Sequence, residues 1–176
     1  MHETRALPKS VDPFRHAASG RELSGCLSVR DMPRLLPDLL SDQSEVSVRL
    51  VFGVDESIGL PWVKGELKTC VELRCQRCLE SFSYDIIGAF LMGLVRNMEA
   101  AEDLPARYDP LVVTEGTLVL KDMIEEELIV NLPVVPRHPP EICNVRIPAA
   151  ESDTKAKNPF DVIGILRDKC QTGETR

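Results

Sequence analysis

Two cysteines three positions apart, in Cys75-Gln76-Arg77-Cys78, are the residues of this chain best placed to do chemistry. A C-x-x-C pair serves either as a redox thiol couple or as half of a metal site, and its surroundings discriminate between the two. The redox form needs the motif at a helix N-terminus, where the dipole lowers a thiol pKa. Here an alternating segment precedes the pair, and Phe82 and Tyr84 follow it on another. The motif therefore belongs on a turn between strands, with Gln76 and Arg77 at the tip, and such a turn can point both sulfurs one way. A zinc site needs two more ligands, and His138 and Cys143 form an H-x4-C pair among prolines downstream. Cys75, Cys78, His138 and Cys143 thus make up a candidate Cys3His set for structural zinc. Sixty residues separate Cys78 from His138, so cysteines merely half-buried on a strand turn stand as the alternative. Cys26, Cys70 and Cys170 are isolated in their local patterns and read as small hydrophobes or free thiols.

Other catalytic constellations are missing. The sequence has no G-x-S-x-G, no H-E-x-x-H, no P-loop and no dinucleotide-binding glycine fingerprint. Asp122, Glu125, Glu126 and Glu127 offer carboxylates at helical spacing, but paired acid–base work requires one of them to be buried. Only Glu127 approaches the apolar side of that helix, so a solvated face is the better reading. Three histidines, two of them near the N-terminus, supply general acid–base catalysis poorly.

The elements that must position these residues follow from periodicity. Leu7-Pro8 and Asp12-Pro13 predict an irregular arm without an early helix, because a residue before proline is pushed out of the α region. A weakly alternating strand is expected over 21–29. A helix capped by Asp31 should follow, with Leu35, Leu36, Leu39 and Leu40 as its apolar stripe. Val46, Val48, Leu50, Phe52 and Val54 share one parity, as do Leu67, Val71, Leu73 and Cys75, and Phe82, Tyr84, Ile86, Phe90, Met92 and Leu94. Each set marks a strand with one buried face, and short turns between them predict an antiparallel meander. Residues 99–109 read as a surface loop or short helix. Short strands at 111–113 and 117–120 would flank a hairpin turn at Glu115-Gly116. Leu120, Met123, Ile124 and Leu128 then recur at helical spacing up to about Asn131, with Pro133 and Pro136 beyond.

Length and charge bound the rest. A chain of 176 residues with 43% hydrophobic and 28% charged side chains can form one domain with a sizeable core. Residues 1–147 are read as that domain, 148–157 as a linker, and 158–176 as a helix and tail opened by the Asn158-Pro159 cap, with Phe160, Ile163, Ile165 and Leu166 on its apolar face. Cysteine is too sparse for a disulfide scaffold, Met1 to Ser10 lack the apolar run of a signal peptide, and no apolar stretch approaches the roughly twenty residues of a membrane span. A cytoplasmic protein without a membrane partner is the expectation. The net charge of −7 is unevenly spread: +2 over residues 1–36, +1 over 137–176 and −10 between them. A broad electrostatic nucleic-acid clamp is thereby excluded, and any RNA contact would be local.

Three blocks together carry a resemblance: the run from Leu73 to Phe82 containing the C-x-x-C, the run from Met123 through Glu125-Glu126-Glu127 and Asn131-Leu132-Pro133 to Arg137-His138, and Lys157-Asn158-Pro159-Phe160. With the opening Leu7-Pro8 through Asp12-Pro13, they resemble the large ribosomal RNA subunit accumulation protein family, YceD. That resemblance implies a bacterial, non-enzymatic factor supporting 23S ribosomal RNA synthesis, processing or stability in large-subunit biogenesis. The implied partner is 23S rRNA or a large-subunit precursor, reached directly or through a ribosomal protein or assembly factor, with no DNA partner. Arg74 and Arg77 beside the turn, with Arg137 after the second block, are the expected phosphate contacts. The expected fold is an α+β domain on an antiparallel meander, open or rolled toward a barrel, with packed helices and a C-terminal helix after the linker. A protein-binding scaffold without RNA contact is the rival reading, and a thiol redox or metal-dependent enzyme is the third.

Overall fold

The computed structural model describes residues 7–143. The expected linker, the C-terminal helix and Cys170 lie outside the described residues.

A five-stranded sheet organises the domain, in the order β2 (Glu22–Ser28), β3 (Glu45–Asp55), β4 (Leu60–Arg74), β5 (Ser81–Val95) and β6 (Asp109–Val112). The first four strands form the expected antiparallel meander. Their alternation holds over most of the expected positions: Val46, Val48, Leu50 and Phe52 of β3, Val63, Leu67, Val71 and Leu73 of β4, and Ile86, Phe90, Met92 and Leu94 of β5 are buried on one face, whereas Val54 at the end of β3 is exposed and Phe82 and Tyr84 near the knuckle are half-buried. Gly65 on that face lets the Phe90 ring cross β4, since a Cβ there would lie 2.0 Å from the ring. With β2 and β6 at its edges, the sheet is open and does not close into a barrel.

Helices cover the buried face. The first, α1 (Pro13–Ala18), packs on β3 and β4. It corrects the expectation that Asp12-Pro13 forbids an early helix. Asp12 takes the extended conformation that a following proline imposes, and an N-cap requires the same conformation. Its carboxylate accepts from the Arg15 N–H at 3.0 Å while Pro13 occupies the first helical position. The helix expected after Asp31 is instead two single 3-10 turns, Val29–Asp31 and Leu36–Asp38. Pro33 and Pro37 lack the N–H groups that a continuous α-ladder would use. Val29, Met32 and Leu35 are nonetheless fully buried.

Two strand assignments also change. β6 runs parallel to β5, because the chain leaves β5 through α2 (Met98–Glu102) and crosses back before pairing. The segments expected to form a hairpin around Gly116 pair elsewhere: β6 with β5, and β7 (Leu118–Val119) with β1 (Ser10–Val11). From β7 the chain enters α3 (Leu120–Asn131) directly, and the Leu120 N–H donates to the carbonyl of Lys9 at 3.2 Å. Leu120, Met123, Ile124 and Leu128 seal the core against β5, and Pro133 holds Leu132 extended to end the helix. No helix among the described residues is long and apolar enough to cross a membrane.

Candidate metal centre

The longest hairpin of the sheet, β4–β5, ends in the C-x-x-C. Beyond Arg74 the chain needs six residues to reverse, and Cys75 closes the loop by donating its N–H to the Glu80 carbonyl at 2.9 Å. Leu79 donates back to the Cys75 carbonyl at 2.9 Å and sits at φ 66°, a left-handed conformation uncommon for a residue with a side chain. This tight knuckle turns the sulfurs of Cys75 and Cys78 to one side, as the spacing predicts.

The second half comes from the segment after α3. The Gln76 N–H donates to the Pro136 carbonyl at 2.9 Å and draws this strip of chain alongside the knuckle. His138 packs its ring on Phe82, with centroids 4.8 Å apart. Pro139 then accepts from the N–H groups of Ile142 and Cys143 at 3.1 and 3.2 Å, so the chain curls and brings Cys143 back. The four ligand atoms lie within 4.8 Å of one another, with Cys75 and Cys143 buried and Cys78 and His138 half-buried. The fold thus crosses the sixty-residue gap that the sequence left open.

The separations suit a tetrahedral metal. Cys75 Sγ and Cys143 Sγ are 3.7 Å apart, and Cys78 Sγ is 3.2 Å from His138 Nδ1. A tetrahedron with zinc–sulfur bonds near 2.3 Å and zinc–nitrogen bonds near 2.0 Å has edges of about 3.8 and 3.5 Å. A disulfide would bring the sulfurs to about 2.05 Å, so the cysteines are gathered without being bonded.

Electrostatics favour charged sulfur at Cys75 and oppose it at Cys78. Burial acts to raise the Cys75 pKa, but the backbone N–H groups of Cys78, His138 and Arg77 outweigh it and bring the thiol to about 5. For Cys78 the Glu80 backbone lowers the pKa, while burial and the neighbouring sulfurs of Cys75 and Cys143 push it up, and the upward influences prevail. The neighbouring sulfurs thus oppose charge on Cys78, and a divalent cation among them would remove that opposition.

The three candidate arginines border this cluster in different ways. Arg77 turns its guanidinium inward, donating from Nε to Cys143 Sγ at 3.0 Å and from Nη2 to the Cys143 carbonyl at 3.3 Å. Arg74 and Arg137 are exposed and make no ion pair among the described residues. Cys26 and Cys70 lie away from the cluster. Cys70 pairs in register with Asp85, which together with burial raises its thiol pKa.

One buried polar group was misplaced by sequence reasoning. Glu125, not Glu127, is the enclosed carboxylate of α3: it is 3% exposed and accepts from the N–H groups of Arg34 and Leu35 at 2.6 and 3.2 Å. Its position between Ile124 and Leu128 was the available signal. Glu127 is half-buried, and burial pushes its pKa up.

Comparison with known proteins follows the same residues. The family model described as "Large ribosomal RNA subunit accumulation protein YceD" matches residues 63–166, a range that contains all four candidate ligands. The curated protein of that name from Haemophilus influenzae is 34% identical over 170 residues, covering 93% of this chain and 97% of the relative. No solved structure matches at the same stringency.

Proposed function

The chain belongs to the YceD family of large ribosomal RNA subunit accumulation proteins, and on that premise we propose that it is a non-enzymatic factor in large-subunit maturation that carries a structural zinc. The observation that carries this reading is the convergence of Cys75, Cys78, His138 and Cys143 within 4.8 Å. Four protein ligands fill a tetrahedral shell and leave no open position for water or substrate, which is the pattern of structural rather than catalytic zinc. The ion would tie the β4–β5 knuckle to the 136–143 segment. Arg77, hydrogen-bonded to Cys143 from outside the shell, would offset the excess charge of three thiolates around one divalent cation.

A rim is fixed in this way, and Arg74, Arg77 and Arg137 each lie one residue from a ligand on it. These arginines are the proposed contacts to phosphates of 23S rRNA or its precursor, a small patch compatible with the acidic charge of the chain. Replacing Arg74 and Arg137 with glutamate, with Arg77 left on Cys143, tests this. The expected result is a folded, zinc-bearing protein that no longer sustains 23S rRNA levels or crosslinks to RNA in cells. Undiminished 23S rRNA with the variant still folded would remove the patch from the account.

One observation favours a protein partner in addition. A groove of about 630 Å³ beside Cys75, lined by Pro37, Leu40, Leu79, Leu132 and Val134, leaves Leu79 67% and Val134 94% exposed. A ribosomal protein or assembly factor seated there would give the protein-mediated form of the same function. Such a partner would be captured by an arginine-substituted chain but not by one carrying Leu79→Asp.

A further inference from the structure

The face of the sheet turned away from the core carries the chain's single tryptophan in an unusual setting. Trp62 pairs in register with Gly53 on β3 and Gly93 on β5, so glycine lies on both sides of it across the sheet. It belongs neither to the buried core nor to the partly buried residues packed against that core. Its six-membered ring lies over Gly53, where an added Cβ would come within 2.4 Å of the ring. A side chain at position 53 would prop the indole up, and glycine lets it lie down on the sheet. Leu60 and Leu104 lie together over Gly93 beside it.

Basic groups continue from this ring along the same face. Lys64 follows two positions on, about 7 Å further at strand spacing, and Lys68 lies about 20 Å along. Both lysines are exposed and unpaired by acids among the described residues. Of the acids on this face, Glu22 and Glu66 lie against Arg49, and Glu45, Glu72 and Asp85 lie beyond Lys68, toward the C-x-x-C end of the sheet. Glu22 takes the Arg49 guanidinium at 2.7 Å, and Glu66 stands opposite Arg49 in register. Val51 and Leu91 flank Lys64, and Ile87, 73% exposed, flanks Lys68.

A flat aromatic ring on an open sheet, with cations at intervals along the strand, is the arrangement that stacks a base and holds the phosphates beside it. We infer that Trp62 is a stacking platform for a base of single-stranded RNA, with Lys64 and Lys68 as its phosphate contacts. This deepens the RNA reading above and rests on it. The platform lies at the opposite end of β4 from Arg74, so it is a second contact, separate from the arginine rim. Stacking is tolerant of sequence, since every base presents a π face.

Because Trp62 is the only tryptophan, its emission reports on this site alone. The test titrates the full chain with fluorescently labelled oligoadenylate and oligouridylate, following RNA anisotropy and tryptophan emission together. Quenching of Trp62 that tracks the anisotropy curve is expected, with Trp62→Ala weakening binding about tenfold and Trp62→Phe retaining most of it. Lys64→Glu should weaken binding with the ring intact. RNA that binds while Trp62 emission stays constant overturns the platform and leaves the arginine rim standing. If the intact chain binds neither oligonucleotide, the platform and the direct form of the RNA reading both fail. Emission that responds to ribosomal proteins but not to RNA overturns the assignment to a nucleobase. The emission titration uses the unmodified chain, so it decides the matter even where a variant fails to fold.

Discussion

The domain encloses two polar constellations, and they differ in whether the protein completes them. The Glu125 carboxylate reaches from α3 into the turn at Arg34 and Leu35 and accepts two backbone N–H groups, while the adjacent Glu126 pairs with the Arg34 side chain. Its donors and acceptors match, and nothing further is required. The cluster of Cys75, Cys78, His138 and Cys143 is the opposite case, because its sulfurs and imidazole face one another, with backbone N–H groups at Cys75 and one guanidinium at Cys143 donating from the edge. A group that is satisfied internally holds elements together. Three sulfurs and an imidazole turned toward one centre have the donor types that could hold a metal ion.

Substitution should separate the two. The largest effect is expected for Cys75→Ser combined with Cys143→Ser, which removes half of a tetrahedral shell. Zinc content should fall from about one per chain to almost none. Limited proteolysis should then cut within 133–143 and spare the sheet. Glu125→Ala comes next, leaving two buried N–H groups without an acceptor. Urea unfolding should show a loss of about 2 kcal/mol with zinc content unchanged, and Glu125→Gln should lose less because an amide oxygen still accepts. Equal loss of zinc in Glu125→Ala would show that the constellations are coupled and would break the contrast.

A pH titration sharpens the same point at a third site. Asp55 accepts from the Ser57 hydroxyl at 2.6 Å and the Tyr108 hydroxyl at 2.8 Å, and these bonds, with the Ser57 backbone and Arg107, hold its pKa at about 2 against an ordinary 3.8. The folded value lies below the unfolded one. Its stabilisation is therefore complete above about pH 4 and disappears as the pH falls toward 2. Asp55→Asn should flatten that part of the stability profile, as read by thermal melting across the range. The smallest effect belongs to Arg34→Ala, which removes an exposed ion pair with Glu126. The midpoint shift should be smaller than that of Glu125→Gln and should vanish in high salt.

What could be read from the chain beforehand follows the range of the interactions. Alternation at Val46 to Phe52, at Leu67 to Leu73 and at Phe82 to Leu94 is a property of neighbours, and it located three strands and their buried face. The turn carrying Cys75 and Cys78 was legible for the same reason. Asp12-Pro13 was misread because one local rule, the extended residue before proline, serves both a helix break and a helix start. The parallel pairing of β6 and the pairing of β1 with β7 depend on partners far along the chain, which short segments do not encode. The ligand set shows both sides. Residue types and spacing nominated His138 and Cys143, but their meeting with the knuckle depends on α3 and on the bond from Gln76 to Pro136. Glu125 has a local signal in its place between Ile124 and Leu128, but the N–H donors that satisfy it lie 91 and 90 positions away in the chain.

Metal analysis of the purified full chain decides whether the four ligands hold a metal. Protein prepared without chelator should carry about one zinc per chain through gel filtration, and Cys78→Ser or His138→Ala should lose it. A chain that emerges metal-free, takes up no added zinc and leaves Cys75, Cys78 and Cys143 open to thiol reagents would contradict the account.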